Sequence, residues 1–286
     1  MDLKTRMKAY RRSPLSLILR IILIAAAAIT LFVLFAIIIY ILVKGIPNLK
    51  PSMFAWEYNS ENVSMMPAII NTVLMVLLTL VFAAPIGIFS AIYMVEYAKR
   101  GNKFVKVIRM TTETLAGIPS IVYGLFGFLM FGVALKWGYA FLGGALTLAM
   151  MVLPTIMRTT EEALKAVPDS YREGSFGLGA GRLRTVFQVV LPPAIPGILN
   201  GIILAIGRIV GETAALIFTA GTIAQIPGGL FQSGRTLAVH MYALLNEGLY
   251  VDEAYATAVI LLLVVILINF ASNRIANTIA KQSGEK

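Results

Sequence analysis

From Ile21 to Val43 the chain runs for 23 residues without a charge. A helix rises about 1.5 Å per residue, so this run covers the roughly 30 Å hydrocarbon core of a bilayer. Water does not reach backbone groups there, so each must be satisfied within the structure. Five further runs are long enough to cross: approximately Ala68 to Val95, Leu115 to Leu135, Tyr139 to Met157, Ile195 to Thr219 and Ala254 to Phe270. Long apolar runs of this kind predict helices. The expected fold is therefore all-α, a polytopic membrane protein with six transmembrane helices. A composition of 58% hydrophobic and 13% charged residues lies far from that of soluble globular proteins and agrees. The opening "MDLKTRMKAYRRSPLSLILR" is basic and then turns apolar, as a signal peptide does. The run after it exceeds the roughly 7–15 residues of a signal core, and no small-residue cleavage site follows. A retained signal-anchor helix is expected.

Basic residues set the orientation. The N-terminus carries Lys4, Arg6, Lys8, Arg11 and Arg12; the second loop Lys99, Arg100, Lys103, Lys106 and Arg109; the fourth Arg158, Lys165, Arg172, Arg182 and Arg184. The tail adds Arg274, Lys281 and Lys286. The alternate loops hold only Lys44, Lys50, Lys136 and Arg235. By the positive-inside rule both termini are cytoplasmic. The alternation also accounts for a formal net charge of +10 without invoking nucleic acid. With no cysteine, disulfides and thiolate chemistry are excluded.

The chain is thus expected to divide into a cytoplasmic segment 1–20, a first helix and external loop 21–66, a five-helix core 67–271 and a cytoplasmic tail 272–286. Within the core lie a cytoplasmic loop 158–192 and an external loop 221–253. The external loop opens "GTIAQIPGGLFQSG" and continues "RTLAVHMYALLNE", with Leu237, Met241, Leu244 and Leu245 at helical spacing. That predicts an amphipathic helix on the outer surface. His240, the one histidine of the chain, is expected to be a plain surface or core residue on it.

The cytoplasmic loop reads "RTTEEALKAVPDSYREGSFGLGAGRLRTVFQVVLPPA". Pro168 fits the first turn of a helix, Asp169 and Ser170 suit its N-terminal end, and Tyr171, Phe176 and Leu178 give it apolar contacts. Gly179 and Gly181 suit its end, with re-entry at Leu191-Pro192. Such a helix either rests on lipid headgroups or docks a cytoplasmic partner. The spacing resembles the "EAA" loop of bacterial ABC importer permeases. Glu173 is followed six residues on by Gly179, then by Val189 and Leu191-Pro192, while Gly174 and Ser175 stand where the family has alanines. "AIYMVEYAKR", "IPSIVYGLFGF", "RTTEEALKAVPDSYRE" and "GRIVGETAALIFTA" are similar to permeases of the Pst phosphate importers, the PstA-like ones above all. The resemblance implies a type I, EAA-loop permease architecture and localisation in the cytoplasmic membrane. It implies that Glu173, Gly174, Ser175, Gly179, Leu191 and Pro192 belong to an ATPase-coupling loop. The implied partners are a PstC-like permease, a PstB-like ATPase dimer and a PstS-like phosphate-binding protein. No cofactor is expected on this chain, with ATP and Mg used by the ATPase.

Arg208 and Glu212 interrupt the fifth apolar run. A charge at the bilayer centre costs at least ~2.5–3.5 kcal/mol, so these two are expected to face protein or a polar cavity. Four apart on one helix, they would share a face with Gly201 and Ala205, while Gly207 and Gly211 would form a packing face. They are either an ion pair that locks helices or part of a substrate path. In the second case Arg208 would attract an oxyanion and Glu212 would partly neutralise Arg208. Thr213 and Ser120 are weaker candidates for hydroxyl contacts, since membrane Ser and Thr commonly back-bond to their own helix.

No P-loop motif, metal-ligand spacing or dinucleotide fingerprint occurs; "GLGAGR" lacks the final glycine. An enzyme is not expected. The functions in play are an ATP-driven importer subunit for phosphate, one for another oxyanion such as sulfate or molybdate, a stand-alone secondary anion transporter, and a membrane scaffold.

Overall fold

The structure, a computed structural model, describes residues 14–99 and 101–282. Lys4, Arg6, Lys8, Arg11, Arg12, Arg100 and Lys286, used above for orientation, lie outside them. The described chain is helical, without strands.

Helix α1 (Pro14–Gly45) contains the first apolar run and is exposed along almost all of its length. An apolar helix bare on every side is stable in lipid and not in water. Helix α2 (Met66–Ile92) follows and ends in a π-helical turn, Tyr93–Tyr97.

The third apolar run is not one span. Helix α3 (Lys103–Ala116) alternates Lys103, Lys106 and Arg109 with apolar positions, and Asn102 caps it by accepting from the Phe104 N–H. After Gly117-Ile118-Pro119 the chain turns by 106° into α4 (Ser120–Gly127), which continues π-helically through Phe128–Ala134. Pro119 drives Ile118 out of helical geometry. The predicted start at Leu115 is therefore corrected to Ser120, and α3 is a basic elbow.

Helix α5 (Phe141–Ala166) is the central element, with 14 buried residues along its 26. It packs against α2, against α4, and against the two pieces of the fifth span. Met75, Leu148, Met151, Val152, Ile156, Ile209 and Leu216 form the centre of the core. Lipid gives no hydrophobic drive for helix association, so close approach of small residues matters most. A Cβ added at Gly124 would lie 2.8 Å from the Ala215 Cα, and one at Gly197 would lie 2.6 Å from the Ala163 Cβ.

Because α5 runs to Ala166, the cytoplasmic loop is shorter than expected. It holds α6 (Asp169–Gly177) and turns at Gly179, where φ is +80°. Re-entry begins with α7 (Arg182–Thr185), not at Leu191-Pro192. Pro192 and Pro193 have no N–H to offer the carbonyls one turn earlier, and the helix passes through a π-helical turn, Val186–Val190, just before them.

The fifth run divides into α8 (Leu191–Val210) and α9 (Ala214–Thr219). After it, α10 (Leu237–Glu247) does not lie on the outer surface. Leu237, Val239, His240 and Leu244 are fully buried, and Thr72 of α2 accepts from the Leu237 N–H at 2.8 Å. His240 is a core residue. Helix α11 (Val251–Gln282) is longer than the last predicted span, so most of the expected tail is helix. Tyr40 of α1 meets Tyr255 of α11 edge to face, at 5.9 Å between ring centroids.

Candidate functional site

The break between α8 and α9 decides where the two mid-span charges sit. Val210 is the last residue of α8, so Arg208 occupies its final turn. Glu212 lies outside both helices, and its Oε1 accepts from the Ala215 N–H at 3.0 Å. Each charge therefore sits at a helix end whose partial charge is opposite to its own. The shared helix face expected for them does not exist, and among the described residues they form no ion pair with each other.

The packing face is also reassigned. An added Cβ at Gly207 meets nothing within 4 Å, and at Gly211 only the Gly207 carbonyl at 3.8 Å. Gly197 and Gly201, four apart, are the positions pressed against α5, at Ala163 and Thr159. Gly201 and Ala205 are buried in that contact instead of facing a polar path.

Arg208 lines an open cleft of about 640 Å³ between α5, α8 and α11. Its polar neighbours there are Thr155, Asn200, Asn269 and Asn273. Thr155 stands one turn before Arg158 and Asn273 directly before Arg274, so the cleft lies toward the side with the basic loops, while Arg208 itself falls in the middle of the fifth apolar run. Among the described residues no carboxylate lines this cleft. The three asparagines were missed in the sequence. The signal available was amides inside apolar helices, with Asn269 and Asn273 one turn apart and Asn200 two turns before Arg208.

Glu212, Thr213 and Ser120 do not line the cleft. The Thr213 hydroxyl donates at 3.4 Å, a long bond, to the Gly211 carbonyl. Ser120 opens α4, and its hydroxyl makes no hydrogen bond among the described residues. Gly124 against Ala215 and Gly127 against Thr219 give α4 and α9 a parallel register. One turn earlier in that register, Ser120 falls level with the break at 211–213.

Toward the basic loops a second cleft, of about 630 Å³, shares Thr155 and Leu204 with the first. Arg109, Glu113, Arg158, Glu161, Glu162 and Lys165 line it. Glu161 pairs with both Arg109 and Lys165, so α3 is tied to the end of α5. Polar lining thus continues from Arg208 to the side with the basic loops.

The coupling-loop residues do not form one cluster. Glu173, Gly174 and Gly179 are exposed on or just after α6, while Leu191 and Pro192 are half-buried at the start of α8. The Ser175 and Thr185 hydroxyls share a hydrogen bond of 2.8 Å. Tyr171, Phe176 and Leu178 are exposed, Leu178 at 91%. Exposed apolar side chains beside charged ones, outside the spans, mark a contact surface.

With this geometry the comparisons with known proteins agree. The chain is 35% identical over 274 residues to the probable ABC transporter permease protein YqgI of Bacillus subtilis, covering 90% of this chain and 93% of that one. It is 34% identical over 252 residues to the phosphate transport system permease protein PstA of Pasteurella multocida, covering 84% and 86%. Among solved structures it is similar in fold to a chain of a bacterial alginate ABC transporter, with TM-score 0.70 and 15% identity over 95% of this chain and 98% of that one. A chain of the MetNI methionine ABC transporter matches at TM-score 0.58 and 21% identity, over 85% and 97%. Residues 83–282, which include α4 to α11 and both clefts, match the model of one family: the chain belongs to the binding-protein-dependent transport system inner membrane components, as a multi-pass permease component of an ABC importer.

Proposed function

We propose that this permease carries inorganic phosphate in an ATP-driven importer, and that Arg208 meets the anion in passage. The observation that carries the proposal is Arg208, in the middle of the fifth apolar run and without a carboxylate partner among the described residues, in a cleft with three asparagines and a threonine. A guanidinium binds oxyanion oxygens through a planar fork. Phosphate at neutral pH also keeps a P–OH donor, and an asparagine amide offers both an acceptor and donors. A site of one cation and several amides therefore suits phosphate better than fully ionised sulfate. Similarity to PstA permeases supports the same substrate. Glu212 serves α9 as a cap.

The energy source in this proposal is a separate PstB-like ATPase dimer that uses ATP and Mg and docks on Tyr171, Phe176 and Leu178 of the α6 region. A PstC-like permease completes the pathway and a PstS-like protein delivers phosphate from outside. Phosphate uptake by cells with equal membrane levels of the complex tests the role of Arg208. Arg208→Gln is expected to lower uptake at least tenfold, about 1.4 kcal/mol of lost stabilisation. Arg208→Lys, a point charge without the fork, should fall between. Wild-type uptake in Arg208→Gln would overturn the assignment, and sulfate that competes as well as phosphate would overturn the choice of substrate.

A further inference from the structure

One side chain of α6 reaches both α2 and α5. Arg172 Nη2 donates to Glu96 Oε1 at 2.6 Å, and its Nε reaches both Glu96 oxygens at 3.2 and 3.3 Å. Nη1 also donates to the Val167 carbonyl at 2.8 Å, and Nη2 to the Leu164 carbonyl at 2.9 Å. Glu96 lies in the π-helical turn that ends α2, and Leu164 is in the last turn of α5. At this helix end the Leu164 carbonyl has only a long backbone bond, 3.4 Å from the Val167 N–H. Arg172 adds a shorter one while it holds Glu96.

The link is protected from water. Side-chain exposure is 15% for Arg172 and 7% for Glu96, against 44–77% for the cations of the other pairs on this side. The bond to Glu96 raises the Arg172 pKa, and this outweighs the burial that opposes it. Surface ion pairs contribute little, but a partly buried fork with several partners in place holds its elements in one geometry. Most of α6 is otherwise loosely seated. Glu173, Gly174, Phe176 and Gly177 are exposed, and nothing lies within 4 Å of a Cβ added at either glycine. The shared hydroxyl bond from Ser175 to Thr185 is the other tie, and it leads to α7.

We propose that Arg172 and Glu96 form the rigid link that converts displacement of α6 into movement of α2 and α5. The proposal rests on the reading that α6 docks an ATPase. Coupling between sites is carried by physical connections with defined geometry, and Arg172 supplies a side-chain one from α6 into both α2 and α5. Arg172 and Glu96 are positioning residues; neither lines the Arg208 cleft.

Two measurements on the purified importer complex test the link. The first is hydrogen exchange of residues 169–177, which needs no transport. Arg172→Gln and Glu96→Gln are each expected to speed exchange about tenfold, as expected for release of a local opening unit. The exchanged pair Glu96→Arg with Arg172→Glu should recover part of the protection. The second is phosphate taken up per ATP hydrolysed in proteoliposomes. Arg172→Gln should keep the ATPase bound and hydrolysing but lower uptake per ATP at least tenfold, and Arg172→Lys should recover only part. Unchanged exchange overturns the link. Faster exchange with uptake per ATP unchanged, or loss of the bound ATPase, overturns its role in transmission. A wild-type complex that hydrolyses ATP without phosphate uptake overturns the transport reading, while exchange still decides the link.

Discussion

Arg208 and Glu212 show how two charges persist at mid-membrane. A continuous helix would give each only the other, in the weaker order for an intrahelical pair. The break at 211–213 gives each a helix end of opposite partial charge, and Glu212 adds a hydrogen bond to the Ala215 N–H. This separates two roles that substitutions can distinguish. Glu212→Gln keeps a side-chain oxygen for the cap and should leave thermal stability within about 0.5 kcal/mol of wild type. Glu212→Ala removes the cap and should destabilise by about 0.5–2 kcal/mol, read as a lower melting temperature in detergent. If both variants melt alike, the capping role is wrong. Arg208 was legible because a charge in an apolar run is costly wherever it points. Its neighbours were not, since Asn269 and Asn273 reach it from another helix about sixty residues away.

At the scale of elements, small residues decide which helix faces meet. A Cβ at Gly201 would overlap the Thr159 hydroxyl and lie 2.7 Å from the Thr159 Cβ, so α8 would have to move off α5. Gly201→Ala is expected to cost about 1–3 kcal/mol. Gly207→Ala, six residues on, meets open space and should be neutral or slightly stabilising in a helix. Thermal unfolding of the two variants checks the reassigned packing face, and the opposite ranking would restore the original one. G-x-x-x-G spacing occurs twice here, at Gly197–Gly201 and at Gly207–Gly211, and local sequence could not choose between them. The elbow after α3 was equally hidden. Apolar residues on both sides of Gly117-Ile118-Pro119 merged two helices bent by 106° into a single hydrophobic run. Arg172 is the clearest omission, because Glu96 stands 76 positions earlier and no local spacing connects them.

At the scale of the whole molecule, the external segment is a cap built into the core. His240 is fully buried on α10, edge to face with Tyr58, whose ring also carries the Arg235 guanidinium at 4.7 Å. Burial first, then repulsion from Arg235, lowers the His240 pKa to about 3, against the weaker pull of the Val63 carbonyl. The folded protein therefore keeps this ring neutral at pH values where the unfolded chain, with a pKa near 6.5, takes up a proton. Unfolded chains bind more protons below that value, so stability falls as pH drops from about 6.5 toward 3. Between pH 6.5 and 5 the loss should be about 2 kcal/mol. Melting temperature in detergent should drop over that interval, and less steeply for His240→Leu. Equal slopes would exclude His240 as the source.

The sequence alone determined that the chain crosses the membrane, how the basic loops orient it, that a short helix stands in the cytoplasmic loop and that Arg208 is a charge in need of a partner. Those features follow from the cost of polar groups in hydrocarbon and from spacing within one segment, which local order fully specifies. Only the tertiary structure decided where the fifth span breaks, which glycines pack, that α10 is buried, and that Arg172 joins α6 to α2 and α5. Each of these depends on atoms brought together from distant parts of the chain, where packing against α5 selects among arrangements that local sequence leaves equal.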